Sequence, residues 1–239
     1  VVDDTFTAHL MLARYGGPAW FSLGDADLAT HVERTRRLRI GESLTDATAA
    51  MGAALGVRAH VLPSSDDRWQ TRIVTDDGEL DFQEYFVHRR QEPIVRGVRF
   101  DGDAAAPTPQ VLDAIAAADL VVIGPSNPIV SIGPTLELPG VRDALRSTDA
   151  LRVAVSPIVG GRALKGPADR MLASMGHEVS APGVARLYAG LVDRFVLDEV
   201  DAGLAAVVGA IGLEAAVLPT VMATDDERRS LAEALLPGT

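Results

Sequence analysis

The sequence predicts an α/β fold: a Rossmann-like, mostly parallel sheet with helices on both faces, carrying a smaller α+β insertion. Three observations predict it. Two short apolar runs, residues 120–123 and 153–155, each stop abruptly at a loop of Gly, Pro, Ser and Asn and then pass into a helical pattern. Runs of this length between helices read as strands covered on both faces of a parallel sheet. Strand-like and helical segments keep alternating to the end of the chain, which implies right-handed parallel crossovers. Ahead of them, two alternating runs flank an Asp-Asp-Gly turn, a hairpin signal.

Taken in order, residues 1–15 read as an amphipathic helix with Phe6, Leu10, Ala13 and His9 on one face, ended by GGP (16–18). Asp25 is placed to cap a helix running to residue 38, with Gly41 just past its end. Residues 43–55 form the next helix, with Thr45 and Asp46 in its first turn. Residues 58–62 read as a strand, 69–75 and 80–88 as the hairpin, and 94–100 as a further strand. The stretch 101–109 (DGDAAAPTP) is the best linker, dividing one integrated domain into a helical and hairpin part (1–100) and a nucleotide-binding part (101–239). Helices follow over 109–118, 139–145, 167–175, 181–191, 200–211 and 225–236, the last capped from 224–226, with strands at 194–197 and 215–218.

The totals bound the function. With 239 residues, 47% of them apolar, the chain can bury a sizeable core. It has no run of about 18 apolar residues, so no membrane span is expected. Acid stands near its start where a signal peptide carries base. Cysteine is absent, which excludes disulfides and thiolate metal sites and fits a cytoplasmic setting. A formal charge of −11, with no basic run beyond RTRRLR (34–39), argues against nucleic acid as a partner. The chain opens without Met inside a helical pattern, so further sequence is expected upstream.

The chemistry is concentrated in two loops. GPSNP (124–128) offers Ser126, Asn127 and Pro128, followed by Ser131 and Gly133. SPIVGG (156–161) offers Ser156, Gly160 and Gly161, followed by Lys165, the only lysine in the chain. Both lie at carboxyl ends of neighbouring expected strands, where open α/β sheets bind ligands. Glycine lets backbone approach a diphosphate, helix N-termini offer N–H groups, and lysine supplies a compact cation. Neither GxGxxG nor GxxxxGK[ST] occurs, so a plain dinucleotide-binding dehydrogenase and a P-loop are not supported. There is no G-x-S-x-G elbow, and the five histidines (9, 31, 60, 88, 177) show no zinc-type pairing. His60 and His88 sit in expected strands and read as structural, and His177 as a helix-end or surface residue. Asp27, His31 and Arg34 share one helix face, either as a solvated stripe or as a substrate-facing one. Asp66 and Asp67 read as turn residues or as ligand contacts.

In this order, GDADLATHVERTRRL (24–38), LPSSDDRWQT (62–71), DFQEYFV (81–87), GPSNPIVSIGPTLELPGV (124–141), SPIVGGRALKGPADRML (156–172) and PTVM (219–222) resemble the 2-phospho-L-lactate transferase family of coenzyme F-420 biosynthesis. The resemblance covers nearly the whole chain. It implies a Rossmann-like fold, a homodimer, assistance by Mg2+, and transfer of a phospholactyl or phosphoenolpyruvyl group from a guanylyl donor (lactyl- or enolpyruvyl-diphosphoguanosine) to the deazaflavin Fo, with release of GMP. The two glycine-bearing loops are then assigned to the donor, Asp27, His31 and Arg34 to catalysis on the acceptor side, and Asp66 and Asp67 to acceptor binding. Such proteins begin with a strand, an AGG-x-GG loop and an Asp-rich metal-holding stretch. This chain starts after them, so its metal ligands are expected upstream of Val1. The alternative is a related nucleotide-sugar-binding regulatory protein without turnover. The pairing of GDADLATH with FQEYFV fits the transferase better.

Overall fold

The computed structural model describes residues 3–17 and 20–236. Residues 1–2 of the first expected helix and Pro18 of its expected stop lie outside the described residues. The first three helices are α1 (Thr7–Arg14), α2 (Asp25–Arg39) and α3 (Leu44–Ala54). Asp25 does not cap its own helix, whose N-cap is Gly24. Its carboxylate instead accepts the α1 amides of Thr7 (3.0 Å) and Ala8 (2.9 Å) and the Thr5 hydroxyl (2.6 Å). Asp4 answers by accepting Ala26 N–H of α2 at 3.0 Å, so the two helix starts cap each other. Glycine is needed at position 24, where a Cβ would stand 2.0 Å from the Asp4 carboxylate. The apolar stripe of α1 is present but uncovered: Phe6 and Leu10 are exposed, and no residue of α1 or α2 is buried. Gly41 ends α2 as expected, with a left-handed φ of 93°.

Residues 58–62 are not a strand, because no strand among the described residues pairs with them. An antiparallel sheet in the order β2-β1-β3 follows, made of β1 (Gln70–Thr75), β2 (Gly78–Asp81) and β3 (Val95–Asp101). The hairpin turns at Asp76–Asp77 as foreseen, but its second strand ends at Asp81. Phe82, Tyr85 and Phe86 stand at i, i+3 and i+4, a helical spacing. The chain accordingly coils there and makes a π-helical turn at Glu84–His88 instead of continuing as strand to residue 88. The linker region is pinned: Ser65 Oγ donates to Ala106 O (2.6 Å) and Asp67 accepts Ala106 N–H (3.1 Å).

The second half alternates as read. The elements are α4 (Pro109–Ala116), β4 (Leu120–Ile123), a π-helical turn (Pro128–Ile132), α5 (Gly133–Leu136), α6 (Val141–Ser147), β5 (Leu151–Val155), a small ribbon of β6 (Ile158–Val159) and β7 (Arg162–Ala163), α7 (Ala168–Ser174), α8 (Ala181–Leu187), β8 (Arg194–Asp198), a 3-10 helix (Glu199–Leu204), α9 (Ala205–Ala210), β9 (Glu214–Leu218) and α10 (Asp225–Leu235). The expected 200–211 helix is thus a 3-10 turn followed by α9. Thr224 and Glu227 close a full capping box on α10. Strands β4, β5, β8 and β9 form one parallel sheet in that order. Alternate residues face opposite ways. Ile123, Ala154, Phe195 and Leu197 pack with residues of α6, α8 and α9, whereas Val153, Val155 and Val196 pack under Leu231 and Leu235 of α10. The antiparallel sheet leans on this body through Ile73, Leu80, Tyr85 and Val95, which cluster with Met171 of α7. Trp69 fastens it further: its indole N–H donates to Pro134 O at 2.7 Å and its ring stacks on Phe100.

Tyr188, beneath the sheet, is 1% exposed, and its hydroxyl finds no hydrogen-bond partner among the described residues. Burial pushes its pKa up. An unpaired buried hydroxyl is a cost, so Tyr188→Phe is expected to hold or raise the melting temperature, by roughly 2–4 °C where about 1 kcal/mol is relieved. A fall in a thermal melt would count against this packing.

Candidate active site

Parallel pairing puts the ends of β4, β5, β8 and β9 on one edge of the sheet, and the loops leaving that edge enclose a cavity of about 630 Å³. Ser126, Asn127 and Ser131 line it from the β4 loop, Ser156, Pro157, Lys165 and Gly166 from the β5 loop, and Thr220 and Met222 from the segment after β9. Phe82, Gln83, Phe86 and Val87 close it from the antiparallel sheet, with the two phenyl rings stacked at 5.4 Å. Two π-helical turns, 84–88 and 128–132, therefore contribute to the same cavity. Such turns are rare and recur at functional sites.

Each wall has a local cause. Asn127 Oδ1 accepts the amides of Ile129 (2.9 Å) and Val130 (3.3 Å), capping the π-turn. Those donors are consequently spent inside the protein, contrary to the expectation that they face a ligand. The same pair of bonds fixes which side-chain atom is the amide nitrogen. One Nδ2 hydrogen meets Met171 Sδ at 3.5 Å, a weak contact, and the other has no partner among the described residues. Ser156 is buried and fully engaged with Ile158, donating to its carbonyl and accepting its N–H. Gly160 and Gly161, with φ of 57° and 76°, make the tight turn between β6 and β7. A two-residue turn of this hand demands positive φ at both positions. Gly160 N–H donates to Asp201 at 3.0 Å, so these glycines shape the ribbon that carries Lys165 and do not line the cavity. Pro128 is buried behind the loop.

Other expected residues lie elsewhere. Asp27, His31 and Arg34 sit on α2, which supplies nothing to the cavity wall, and Arg34 hydrogen-bonds His31 Nδ1. Asp66 accepts the Thr45 amide (2.7 Å) and hydroxyl (2.9 Å), and Asp67 holds the linker, so both act as staples. His60 lies in the unpaired 57–63 segment, and His88 stacks on Trp20 at 5.0 Å. Sequence reasoning missed Phe82, Gln83, Phe86 and Thr220 as lining residues. The aromatic spacing in DFQEYF was the available signal for the first three.

Lys165 is the only cationic side chain of the lining, and no carboxylate or imidazole faces the cavity among the described residues. Nor is any group of three or more His, Asp or Glu among them placed to hold a metal ion. The donor set among the described residues does not fit magnesium. What the wall can do is hold an anion through Lys165 and the Asn127 amide, and a flat apolar group through the phenyl pair.

Residues 2–208 match the family model of 2-phospho-L-lactate transferase CofD. The chain belongs to this family. It is 39% identical over 234 residues to the 2-phospho-L-lactate transferase of Methanosarcina mazei, covering 98% of this chain and 77% of that one. It is 42% identical over 241 residues to the phosphoenolpyruvate transferase of Streptomyces griseus, covering 98% and 76%. A crystal structure of a UPF0052 family member from Bacillus halodurans superposes with a TM-score of 0.62 at 20% identity, over 90% of this chain and 73% of that one, a likeness of fold. Membership in the CofD family makes the chain a transferase, and no helix among its described residues is long and apolar enough to cross a membrane.

Asn127→Asp keeps the oxygen that caps the π-turn but removes the amide donor and adds a negative charge. It is expected to melt within a few degrees of the parent, yet to lose at least tenfold in affinity for GDP, about 1.4 kcal/mol. Unchanged GDP binding by calorimetry would show that the cavity does not take the anion there.

Proposed function

We propose that the chain moves a phospholactyl or phosphoenolpyruvyl group from a diphosphoguanosine donor to the terminal ribityl hydroxyl of the deazaflavin Fo, releasing GMP. The observation that carries this reading is the joint presence of Asn127 and Lys165 in one cavity at the carboxyl edge of a parallel sheet, in a chain of the CofD family. Relatives named for phospholactate and for phosphoenolpyruvate match about equally well, so the reading spans both groups.

The chemistry asks little covalent work of the protein. The acceptor oxygen bonds to the phosphorus bearing the three-carbon acid, the bond from that phosphorus to the bridging oxygen breaks, GMP leaves with that oxygen, and the acceptor's proton passes to solvent. Positioning and charge cancellation dominate such transfers. Lys165 supplies a point charge for the bridging or terminal phosphate oxygens. Ser126, Asn127 and Ser131 supply neutral polar contacts on the β4 side, while the Phe82–Phe86 wall offers area to a planar ring. Asp27, His31, Arg34, Asp66 and Asp67 have no part in this reading, because they do not line the cavity. A cytoplasmic setting accords with the cysteine-free sequence. A homodimer accords with the uncovered apolar side chains of α1 and α2, among them Leu10, Leu12, Val32 and Ile40 just past α2. Light scattering at twice the monomer mass would bear the homodimer out, and a monomer would exclude it.

Incubating the protein with magnesium, Fo and each synthetic donor, then weighing the product, tests the reaction and names the acid carried. Lys165→Ala is expected to lower donor turnover roughly a hundredfold, the scale of losing one charge contact in the transition state. Parental turnover in that variant would remove Lys165 from the reaction. Tight binding of UDP-N-acetylglucosamine with no product from any donor would favour the nucleotide-sugar-binding alternative.

A further inference from the structure

The end of β8 and the 3-10 helix that follows it hold two buried carboxylates that do not line the cavity. Asp198, 4% exposed, accepts Val200 N–H at 3.0 Å through Oδ1, and both Thr220 N–H (2.8 Å) and the Thr220 hydroxyl (2.9 Å) through Oδ2. Asp201, 7% exposed, accepts Gly160 N–H from the ribbon leading to Lys165. Burial works against ionisation of Asp198, but the amides of Val200, Thr220 and Val221 and the Thr220 hydroxyl outweigh it and hold its pKa below the usual carboxylate range. An ionised carboxylate only accepts hydrogen bonds. The Thr220 hydroxyl has a single proton, and that proton is committed to Asp198, so all it has left to offer is its lone pairs. Thr220, itself only 3% exposed, is part of the cavity lining.

We infer that Asp198 locks Thr220 as a hydrogen-bond acceptor, and that Thr220 takes a hydroxyl or ring N–H of the acceptor substrate and not a phosphate oxygen of the donor. This rests on the cavity being the transfer site. It divides the wall by polarity. Lys165 and the Asn127 side-chain N–H face negative oxygens, which carry no proton to give. Thr220 faces a group that must donate, which a phosphate dianion cannot do. Asp198 is then a positioning residue, acting on the substrate only through Thr220. Replacing it by Asn would set an NH2 group against Val200 N–H on one side or against Thr220 N–H on the other. Either way a buried N–H loses its acceptor, and the seat that commits the Thr220 proton is loosened.

Calorimetric binding of Fo, as the hydroxyl-bearing partner, and of inorganic diphosphate, as the anionic one, tests this in parent, Thr220→Val, Thr220→Ser, Asp198→Asn and Lys165→Ala. Thr220→Val is expected to weaken Fo about tenfold and leave diphosphate within about twofold, Thr220→Ser to restore Fo, and Asp198→Asn to weaken Fo as Thr220→Val does. A merely structural role would move both ligands together and would not be rescued by serine. Should Asp198→Asn fail to fold, the valine and serine pair decides alone. Parental Fo affinity in Thr220→Val, with diphosphate binding lost in Lys165→Ala, overturns the Thr220 inference and leaves the cavity assignment standing. Parental binding of both ligands in both variants overturns the cavity assignment itself.

Discussion

The site depends first on parallel pairing of β4, β5 and β8. In a parallel sheet every strand delivers its following loop to the same edge, so segments separated by about thirty residues or more in the chain meet without any contact designed between them. The register Ile123 to Ala154 and Val155 to Val196 brings the ends of these strands level, and Ser156 N–H donates to Val196 O one step further on. Once the strands are aligned, the positions of Asn127, Lys165 and Thr220 follow from short local devices: a side-chain cap, a two-glycine turn and a buried carboxylate. None of these would bring its residue to the cavity if the sheet register slipped by one residue, since a slip turns each strand's side chains to the opposite face.

The second determinant is how the antiparallel sheet closes the cavity. Its hairpin would leave the cavity open if it ran straight to residue 88. It stops because Phe82, Tyr85 and Phe86 bury best as one helical face, Tyr85 inward against Ile73 and Val95 and the two phenyl rings against each other. Past residue 83 a longer β2 would run beyond the start of β1 and find no strand to pair with, whereas the helical turn buries the three aromatic side chains together. The π-turn that results carries Phe86 and Val87 to the cavity wall, so one packing choice sets both the strand's end and the shape of the site.

Much of this was legible in the sequence because the signals were physical and local. The runs LVVI and VAV, cut short by Gly, Pro and Ser, admit few readings in a chain that alternates with helices. The Asp-Asp-Gly turn fixes its hairpin, and Thr224 with Glu227 marks the start of α10. The failures were failures of partner assignment. Asp25 is a sound capping residue, but the amides it satisfies belong to α1, eighteen residues earlier. Residues 58–62 (RAHVL) end in a valine and a leucine that suit a strand, yet a strand needs a neighbour, and neighbours are a tertiary fact. Gly160 was read as offering its amide outward, whereas a carboxylate forty-one residues on takes it inward. Glycine content shows where backbone can approach something, but says nothing about which group arrives.

The placement of charge is what lets a chain of net −11 accommodate the proposed anion site. Its acidic side chains are held away from the cavity by neutral donors or by arginines: Asp198 and Asp201 bind backbone amides behind the loops, and Asp193 is held below the usual carboxylate range by the Arg152 guanidinium beside it. Long-range repulsion from exposed carboxylates is damped within about 8–10 Å at physiological salt, so what an incoming diphosphate feels is the wall it touches. That wall carries one cation and several neutral dipoles. A single lysine on a mobile-stemmed side chain gives attraction without fixed geometry, and geometry is then left to the amide, the hydroxyls and the aromatic pair. On the proposed function, discrimination between the two partners of the transfer falls to the neutral groups, whose donor or acceptor sense is set by hydrogen bonds made behind the wall.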